Sequence, residues 1–114
     1  METTTSPTSQ DPVVAEVVRR LATGFCPRQI ILFGSRAWGG AQPDTDYDFT
    51  VVMPDGAAVA RLAADIRLAL TGLRASFDLL VVEEGPWRRW SRVPVTLEHD
   101  IAKRGVRVFD AVER

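Results

Sequence analysis

One stretch of the sequence places a glycine-serine pair between two apolar runs. The first run, Gln29 to Phe33, ends directly before Gly34 and Ser35. A short apolar run bounded by glycine predicts a buried strand followed by a tight turn. Ser35 suits the N-cap of a short helix, whose first N–H groups are unpaired and favour a phosphate. The stretch therefore predicts a strand that leads into a phosphate-binding turn.

Two aspartates, Asp46 and Asp48, follow this pair after ten intervening residues. The run from Asp46 to Met53 predicts a second strand, on which alternate side chains share a face about 6 to 7 Å apart. Two carboxylates on one face repel each other unless one is protonated or a cation lies between them. Oxygen ligands beside a phosphate are typical of Mg²⁺. Each motif is common by itself in turns or loops, but together they predict a nucleotide and metal site.

The order Gly34-Ser35, ten residues, Asp46-x-Asp48 resembles the signature of the nucleotidyltransferase superfamily that includes DNA polymerase beta. The fuller form, Gly-Ser-Arg-Ala-x-Gly and then Pro-Asp-Thr-Asp-Tyr-Asp-Phe, is most similar to the minimal nucleotidyltransferase (MNT) group. The resemblance implies an α/β (α+β) fold, with helices packed on a small mixed sheet like the polymerase beta palm. Trp38 departs from the group, where arginine is frequent, and Thr45 stands where serine is frequent.

A third acidic residue on the following strand belongs to the pattern of this superfamily, and Asp78 matches that place. It lies in the run Ser76 to Val82, which is otherwise almost entirely apolar and suits a central strand. An unpaired carboxylate in such a strand would cost several kcal/mol. The alternative is a surface aspartate that caps a loop. If this strand lies beside the second, Asp78 could sit next to Asp46 and Asp48.

The three acidic positions and the Gly-Ser turn suggest a role for each candidate residue. Gly34 and Ser35 would hold the β- and γ-phosphates of ATP, while Asp46 and Asp48 would hold Mg²⁺. Asp78, with a second Mg²⁺, would lower the pKa of an attacking hydroxyl, so that pyrophosphate leaves. Arg36 either reaches a phosphate or forms a surface salt bridge. The expected site residues are Gly34, Ser35 and Arg36 for the nucleotide and Asp46, Asp48 and Asp78 for metal and catalysis.

The resemblance also implies a partner protein. Proteins similar to this one are often encoded with a HEPN-domain ribonuclease toxin, and the MNT protein acts as its antitoxin. In some cases it moves AMP onto a tyrosine of the toxin. Two alternatives remain open, namely an antitoxin that neutralises its partner by binding alone, and a nucleotidyltransferase that acts on a small molecule or an RNA end.

Composition limits the remaining choices. The chain has 114 residues, which suits one small domain. Its formal net charge is -1, so it lacks the overall positive charge that attracts nucleic acid. Its single cysteine, Cys26, excludes an internal disulfide and fits the cytoplasm. No apolar run is long enough to span a membrane. Residues 1–10 are Thr/Ser-rich and predict a disordered tail without signal-peptide features, so residues 11–114 form the expected domain.

Three further helices and an edge strand are expected besides these elements. Asp11 and Pro12 predict a helix start and Gly24 its end, with Cys26 as a small buried residue after it. The Pro54-Asp55-Gly56 turn predicts a break and a second N-cap, and the run from Ala57 to Thr71 predicts a helix behind it. A last helix is expected from Pro94 to Arg104. The alternating residues Val106 to Phe109 predict the edge strand.

The segment around Trp87 and Trp90 is ambiguous because aromatic and basic residues alternate there. Such a mixture can stack bases and bind phosphates, but tryptophan and arginine also anchor protein interfaces. The simplest interpretation is a short amphipathic segment that packs its rings on the sheet. The residues concerned are Trp87, Arg88, Arg89, Trp90 and Arg92.

Overall fold

The computed structural model describes residues 11–111, so the tail predicted for residues 1–10 lies outside the described part. A four-stranded mixed sheet has the order β3-β2-β1-β4, with β1 antiparallel to both β2 and β4 and β2 parallel to β3. The elements are α1 (Pro12–Phe25), β1 (Gln29–Phe33), α2 (Ser35–Trp38), β2 (Tyr47–Met53), α3 (Val59–Ala69), β3 (Phe77–Glu83), α4 (Glu84–Trp90), α5 (Leu97–Arg104) and β4 (Val106–Asp110).

Helices cover both faces of this sheet, as the α/β expectation requires. α1 and α3 pack on one face, where Phe49 and Val51 of β2 are fully buried with Val17 and Ile66 of the helices. The other face holds a smaller apolar cluster of Ile31, Val52, Trp87 and Ile101, under α4 and α5. Side chains alternate between the faces of a strand. Asp48 therefore shares the α4–α5 face with Thr50 and Val52.

The N-terminal helix starts as expected but ends later. Asp11 is the N-cap, and its carboxylate accepts a hydrogen bond from the Val13 N–H at 2.8 Å. The helix continues past Gly24 to Phe25, and Cys26 takes the left-handed conformation at the C-cap (φ +52°). The prediction of a buried Cys26 was wrong, because this C-cap position exposes its side chain.

Two other helix starts were also predicted too early. α3 begins at Val59 after Ala58, and the Asp55 carboxylate accepts a hydrogen bond from the Gly85 N–H at 2.7 Å instead of capping α3. α5 begins at Leu97 because the Thr96 hydroxyl, which accepts a hydrogen bond from the His99 N–H at 3.0 Å, provides the N-cap. The Thr96 hydrogen bond marks the start of α5, whereas α3 starts at Val59 without a side-chain cap.

The strand positions confirm one expectation and correct another. β4 is an edge strand, as its alternating pattern predicted. β3 was expected at the centre because of its apolar residues, but it lies at the other edge. The central place belongs to β1 and β2, since β1 pairs with two strands. In the part of the chain that the structure describes, every helix is too short or too polar to cross a membrane.

Candidate active site

The pairing of β2 with β3 brings two of the predicted carboxylates side by side. Asp48 stands directly opposite Asp78 in the parallel register. Neighbouring strands lie about 4.8 Å apart, so the two side chains emerge next to each other on one face. Asp78 is exposed and Asp48 half-buried. The condition on which the prediction for Asp78 depended, a third strand beside the second, is therefore met.

The environment of this pair favours a proton or a cation. Burial raises the pKa of Asp48 to about 6, and the hydrogen bond and negative charge of Asp78, together with the charge of Asp46, act in the same direction. A positive ion between the carboxylates would remove this repulsion. The all-oxygen donor set suits Mg²⁺, which typically takes one or two protein carboxylates and completes its shell with substrate oxygens and water.

Asp46 lies outside the strands, unlike Asp48 and Asp78. β2 begins at Tyr47, so Asp46 lies just before the strand and its side chain is exposed. Across residues 11–111, no three or more histidine, cysteine, aspartate or glutamate side chains gather into a group that could hold a metal ion. A cation bound to Asp48 and Asp78 would thus depend on substrate oxygens, with Asp46 nearby as a further negative charge.

Gly34 lies against this pair because the last residue of β1, Phe33, is opposite Asp48. Gly34 adopts φ +80°, and a methyl group on its Cα would overlap Oδ2 of Asp48. Gly34 itself is the N-cap of α2, and Ser35 is the first helical residue. The prediction of Ser35 as N-cap was wrong, because the positive φ that ends the strand falls on the glycine. The turn nevertheless places the start of α2, with its free N–H groups, beside the carboxylates.

Arg36 contacts the loop that precedes Asp46. Its Nε donates to the Thr45 carbonyl at 3.2 Å, and its Nη2 donates to the carbonyls of Thr45 at 2.9 Å and Pro43 at 3.1 Å. The guanidinium carbon lies 4.1 Å from the centre of the Tyr47 ring. Arg36 thus holds the loop on one side of Asp46 and the ring on the other. A contact between Arg36 and a phosphate stays a prediction.

Two residues outside the set of predicted site residues support the same loop. Tyr47 is 4% exposed, and its hydroxyl donates to Asp11 Oδ2 at 2.8 Å, linking the start of β2 to the start of α1. Thr45 accepts a hydrogen bond from the Gln42 N–H at 2.8 Å through its hydroxyl. In the sequence, the tyrosine between Asp46 and Asp48 was the signal that could have indicated its role in holding the loop.

Trp38, which stands where the MNT group often has arginine, connects α2 to the end of α5. Its indole N–H donates to the Arg104 carbonyl at 2.9 Å, and the Arg104 guanidinium carbon lies 3.8 Å from the ring centre. Trp38 therefore interacts with protein groups at the end of α5. The contact between Trp38 and Arg104 holds α2 against the end of α5.

The two tryptophans of α4 have different surroundings. Trp87 is 6% exposed and packs in the cluster under α4 and α5, as the amphipathic interpretation expects. Trp90 is 45% exposed and begins a stretch rich in exposed apolar side chains. These side chains are Trp90, Val93, Val95 and Leu97. Of the two tryptophans, Trp90 is the one exposed enough for the partner-surface interpretation, which stays a prediction.

Comparisons with known proteins concern the family and the fold of the chain. A family model described as a nucleotidyltransferase domain matches residues 13–103, a range that includes Gly34, Asp48 and Asp78. Among solved structures, the chain is similar to a crystal structure from Sulfolobus solfataricus described as a presumed nucleotidyltransferase. The TM-score is 0.62 at 19% identity, over 98% of this chain and 96% of that one, which concerns the fold alone. No curated protein matches the sequence significantly.

Proposed function

The chain belongs to the family of nucleotidyltransferase domains, and we propose that it transfers AMP from ATP onto a hydroxyl of a partner protein. The observation that carries this proposal is the placement of Asp48 beside Asp78, with the turn at Gly34 against them. Catalysis of phosphoryl transfer rests on positioning and electrostatics. The end of β1, the start of α2 and the two carboxylates beside them can provide both.

Each part of the site has a distinct task in this reaction. The N–H groups at the start of α2 and the Ser35 hydroxyl would bind the β- and γ-phosphates, and Asp48 and Asp78 would hold Mg²⁺. When bound, the ion would neutralise charge on the phosphate oxygens. Asp78, the more exposed carboxylate of the pair, would face the acceptor. The acceptor oxygen would bond to the α-phosphorus as its proton passes to water, and the bond between the α-phosphorus and the pyrophosphate oxygen would break.

A protein acceptor is supported by the exposed apolar side chains from Trp90 to Leu97. Val95 is fully exposed and has a positive φ of 73°, which is unusual for a β-branched residue. Exposed apolar groups of this kind are typical of interaction surfaces. We propose a HEPN-domain toxin as the partner, with the chain acting as its antitoxin in the cytoplasm; this choice rests on the resemblance to the MNT group.

The same surface also fits the alternative of an antitoxin that acts by binding alone. Binding requires the exposed apolar side chains but makes no use of the paired carboxylates. Replacing Asp48 by asparagine separates the two functions, since the change removes a charge at the site and leaves the surface from Trp90 to Leu97 intact.

The experiment is an incubation of the protein with Mg²⁺ and α-labelled ATP, with and without the product of the neighbouring gene. Label on that partner, absent with Asp48→Asn and present with the control Asp65→Asn on the exposed side of α3, supports the proposal. A stable but unlabelled complex with the wild type overturns it in favour of binding alone. Label on RNA or a small molecule instead of the protein would identify another acceptor class.

A further inference from the structure

The edge strand β3 has few of the features that protect an exposed sheet edge, and its charged residues, Asp78 and Glu83, stand near its two ends. Its seven residues, Phe-Asp-Leu-Leu-Val-Val-Glu, include five apolar side chains, all of them partly exposed. The strand contains no lysine, proline or glycine, and its pairing with β2 has no register shift. Long, regular, apolar edges readily pair with another strand, and folded proteins normally blunt them with charges, prolines or bulges.

The opposite edge of the sheet shows such protection. Pairing between β1 and β4 shifts register between Ile30 and Ile31, as a bulge does. β4 also carries Arg107 and Asp110, whose side chains form an ion pair at 2.9 Å. The contrast between the two edges of one sheet indicates that β3 is the edge adapted for pairing.

The backbone groups available for pairing follow from two hydrogen bonds. The Ser76 carbonyl accepts from the Tyr47 N–H at 2.9 Å and therefore points toward β2. The Phe77 carbonyl accepts from Arg67 Nη1 at 3.1 Å and points away from β2. Because these directions alternate along a strand, Leu79 and Val81 also direct their N–H and C=O groups outward.

We propose that β3 pairs antiparallel with β3 of a second copy of this chain, joining the two sheets around a two-fold axis at Leu80. In this register Leu80 faces Leu80 of the partner subunit. Leu79 then faces Val81 of the partner subunit, and both residues have outward backbone groups, as a hydrogen-bonded antiparallel pair requires. The pairing is isologous and closes, which suits a homodimer.

Charge complementarity favours a second copy over an unrelated strand. Phe77 faces Glu83 of the partner subunit in this register, and Arg67 lies at the Phe77 carbonyl. The Arg67 guanidinium thus lies beside Glu83 of the partner subunit, twice in the dimer; within its own chain, Glu83 Oε1 accepts a hydrogen bond from the Gly56 N–H at 3.2 Å. Asp78 faces Val82 of the partner subunit, so no two like charges stand opposite each other.

The dimer would complete one wall of the candidate active site. A two-fold axis perpendicular to the sheet keeps both copies of Asp78 on the same face, four residues apart in register, or about 13 Å along the strands. Val82 of the partner subunit then lies beside Asp78 on the side that is exposed in the single chain. The inference is independent of the reaction proposed above.

Crosslinking through a single cysteine tests the register. In a Cys26→Ser background, Leu80→Cys places two thiols opposite each other on the axis, at a Cα separation of about 4.5 to 5.5 Å that a disulfide can bridge. Mild oxidation should give a covalent dimer. Leu79→Cys is the matched control, because the two copies of residue 79 lie about 8 Å apart, beyond disulfide reach. Equal crosslinking of both variants would overturn the register.

Charge exchange tests the proposed ion pair, with circular dichroism to verify that each variant is folded. Arg67→Glu and Glu83→Arg should each halve the mass measured by sedimentation equilibrium, and the double variant should restore the dimer. Wild-type protein that stays monomeric at all concentrations, or pairs only with a strand of another protein, would overturn the proposal. Because these measurements need no ATP, their failure is distinct from a failure of the transfer reaction.

Discussion

Oδ2 of Asp48 lies where a side chain on Gly34 would begin, so the turn after β1 and the carboxylate on β2 fit together only if residue 34 is glycine. This contact joins the two halves of the sequence motif, which ten residues separate along the chain. The phosphate-binding turn and the acidic pair are thereby one structure, and a change in either one must alter the other.

Gly34→Ala should abolish transfer and destabilise the fold. The added methyl group would displace the Asp48 carboxylate, and alanine at φ +80° adds backbone strain of about 1 to 3 kcal/mol. Gly40→Ala is a matched control, because Gly40 has φ +82° with open space around its Cα. It should show the strain in thermal unfolding but keep its activity. Equal loss of activity in both variants would show that strain, and not the contact with Asp48, is responsible.

Asp48→Asn should stabilise the metal-free protein at neutral pH while it abolishes transfer. Folding raises the pKa of Asp48 from 3.8 to about 6, so the ionised carboxylate costs stability as the pH rises through this window. Asparagine removes that cost, and we expect the melting temperature to rise by about 2 to 5 °C at neutral pH. At about pH 4, where the wild-type carboxyl is protonated, the gain should largely disappear.

Calorimetry of the wild type, Asp48→Asn and the exposed control Asp65→Asn at both pH values checks this prediction. The control should melt like the wild type at each pH. A fall in the melting temperature of Asp48→Asn at neutral pH would mean that the carboxylate makes a stabilising contact that outweighs its burial and the repulsion from Asp78.

Tyr47 should ionise at an unusually high pH. Burial raises its pKa to about 12, and the hydrogen bond to Asp11 and the charge of Asp11 act in the same direction, while Arg36 opposes them. The protonated phenol therefore contributes to the free energy of unfolding below about pH 10, and this contribution is lost as the pH rises toward 12. Because Tyr47 is the only tyrosine in the sequence, tyrosinate absorbance reports on it alone.

Asp11→Asn should lower the tyrosinate midpoint, since the charge that disfavours ionisation is removed. Exchanging the exposed Asp65 for asparagine should leave the midpoint unchanged. An unchanged midpoint in Asp11→Asn would show that the link between Tyr47 and α1 does not govern the phenol.

Arg36→Lys distinguishes a loop anchor from a phosphate contact. Lysine lacks the planar fork that spans the Thr45 and Pro43 carbonyls, so stability should fall by about 1 to 2 kcal/mol and kcat should drop as the loop before Asp46 loosens. Arg74→Lys, at a neighbouring exposed arginine, should change neither. A higher KM for ATP with unchanged stability would instead support the phosphate contact.

The sequence predicted the parts of the site better than their arrangement. Local patterns indicated both strands and the turn at Gly34, because glycine, apolar runs and alternating aspartates act over a few residues. Whether Asp48 lies next to Asp78 depends on the order of the strands in the sheet, which the sequence motif does not determine. The contacts of Arg36 with loop carbonyls also depend on the path of the folded loop, so the residue type alone could not reveal them.

The position of β3 shows why apolar content is an ambiguous signal. A run of Leu79 to Val82 predicts burial, but burial can come from neighbouring strands or from another molecule. In the single chain these residues are only partly covered. The central position predicted from the sequence would be regained if β3 lies between two sheets in a dimer.

The measurement that tests the central claim most directly is Mg²⁺-dependent transfer of α-labelled AMP by Asp78→Asn. Asp78 joins the site only through its register with Asp48, so its role is the part of the account that depends most on the structure. The account predicts a loss of transfer of at least about 100-fold, with folding and partner binding unchanged. Transfer at the wild-type rate by folded Asp78→Asn would contradict the assignment of the Asp48–Asp78 pair as the active site.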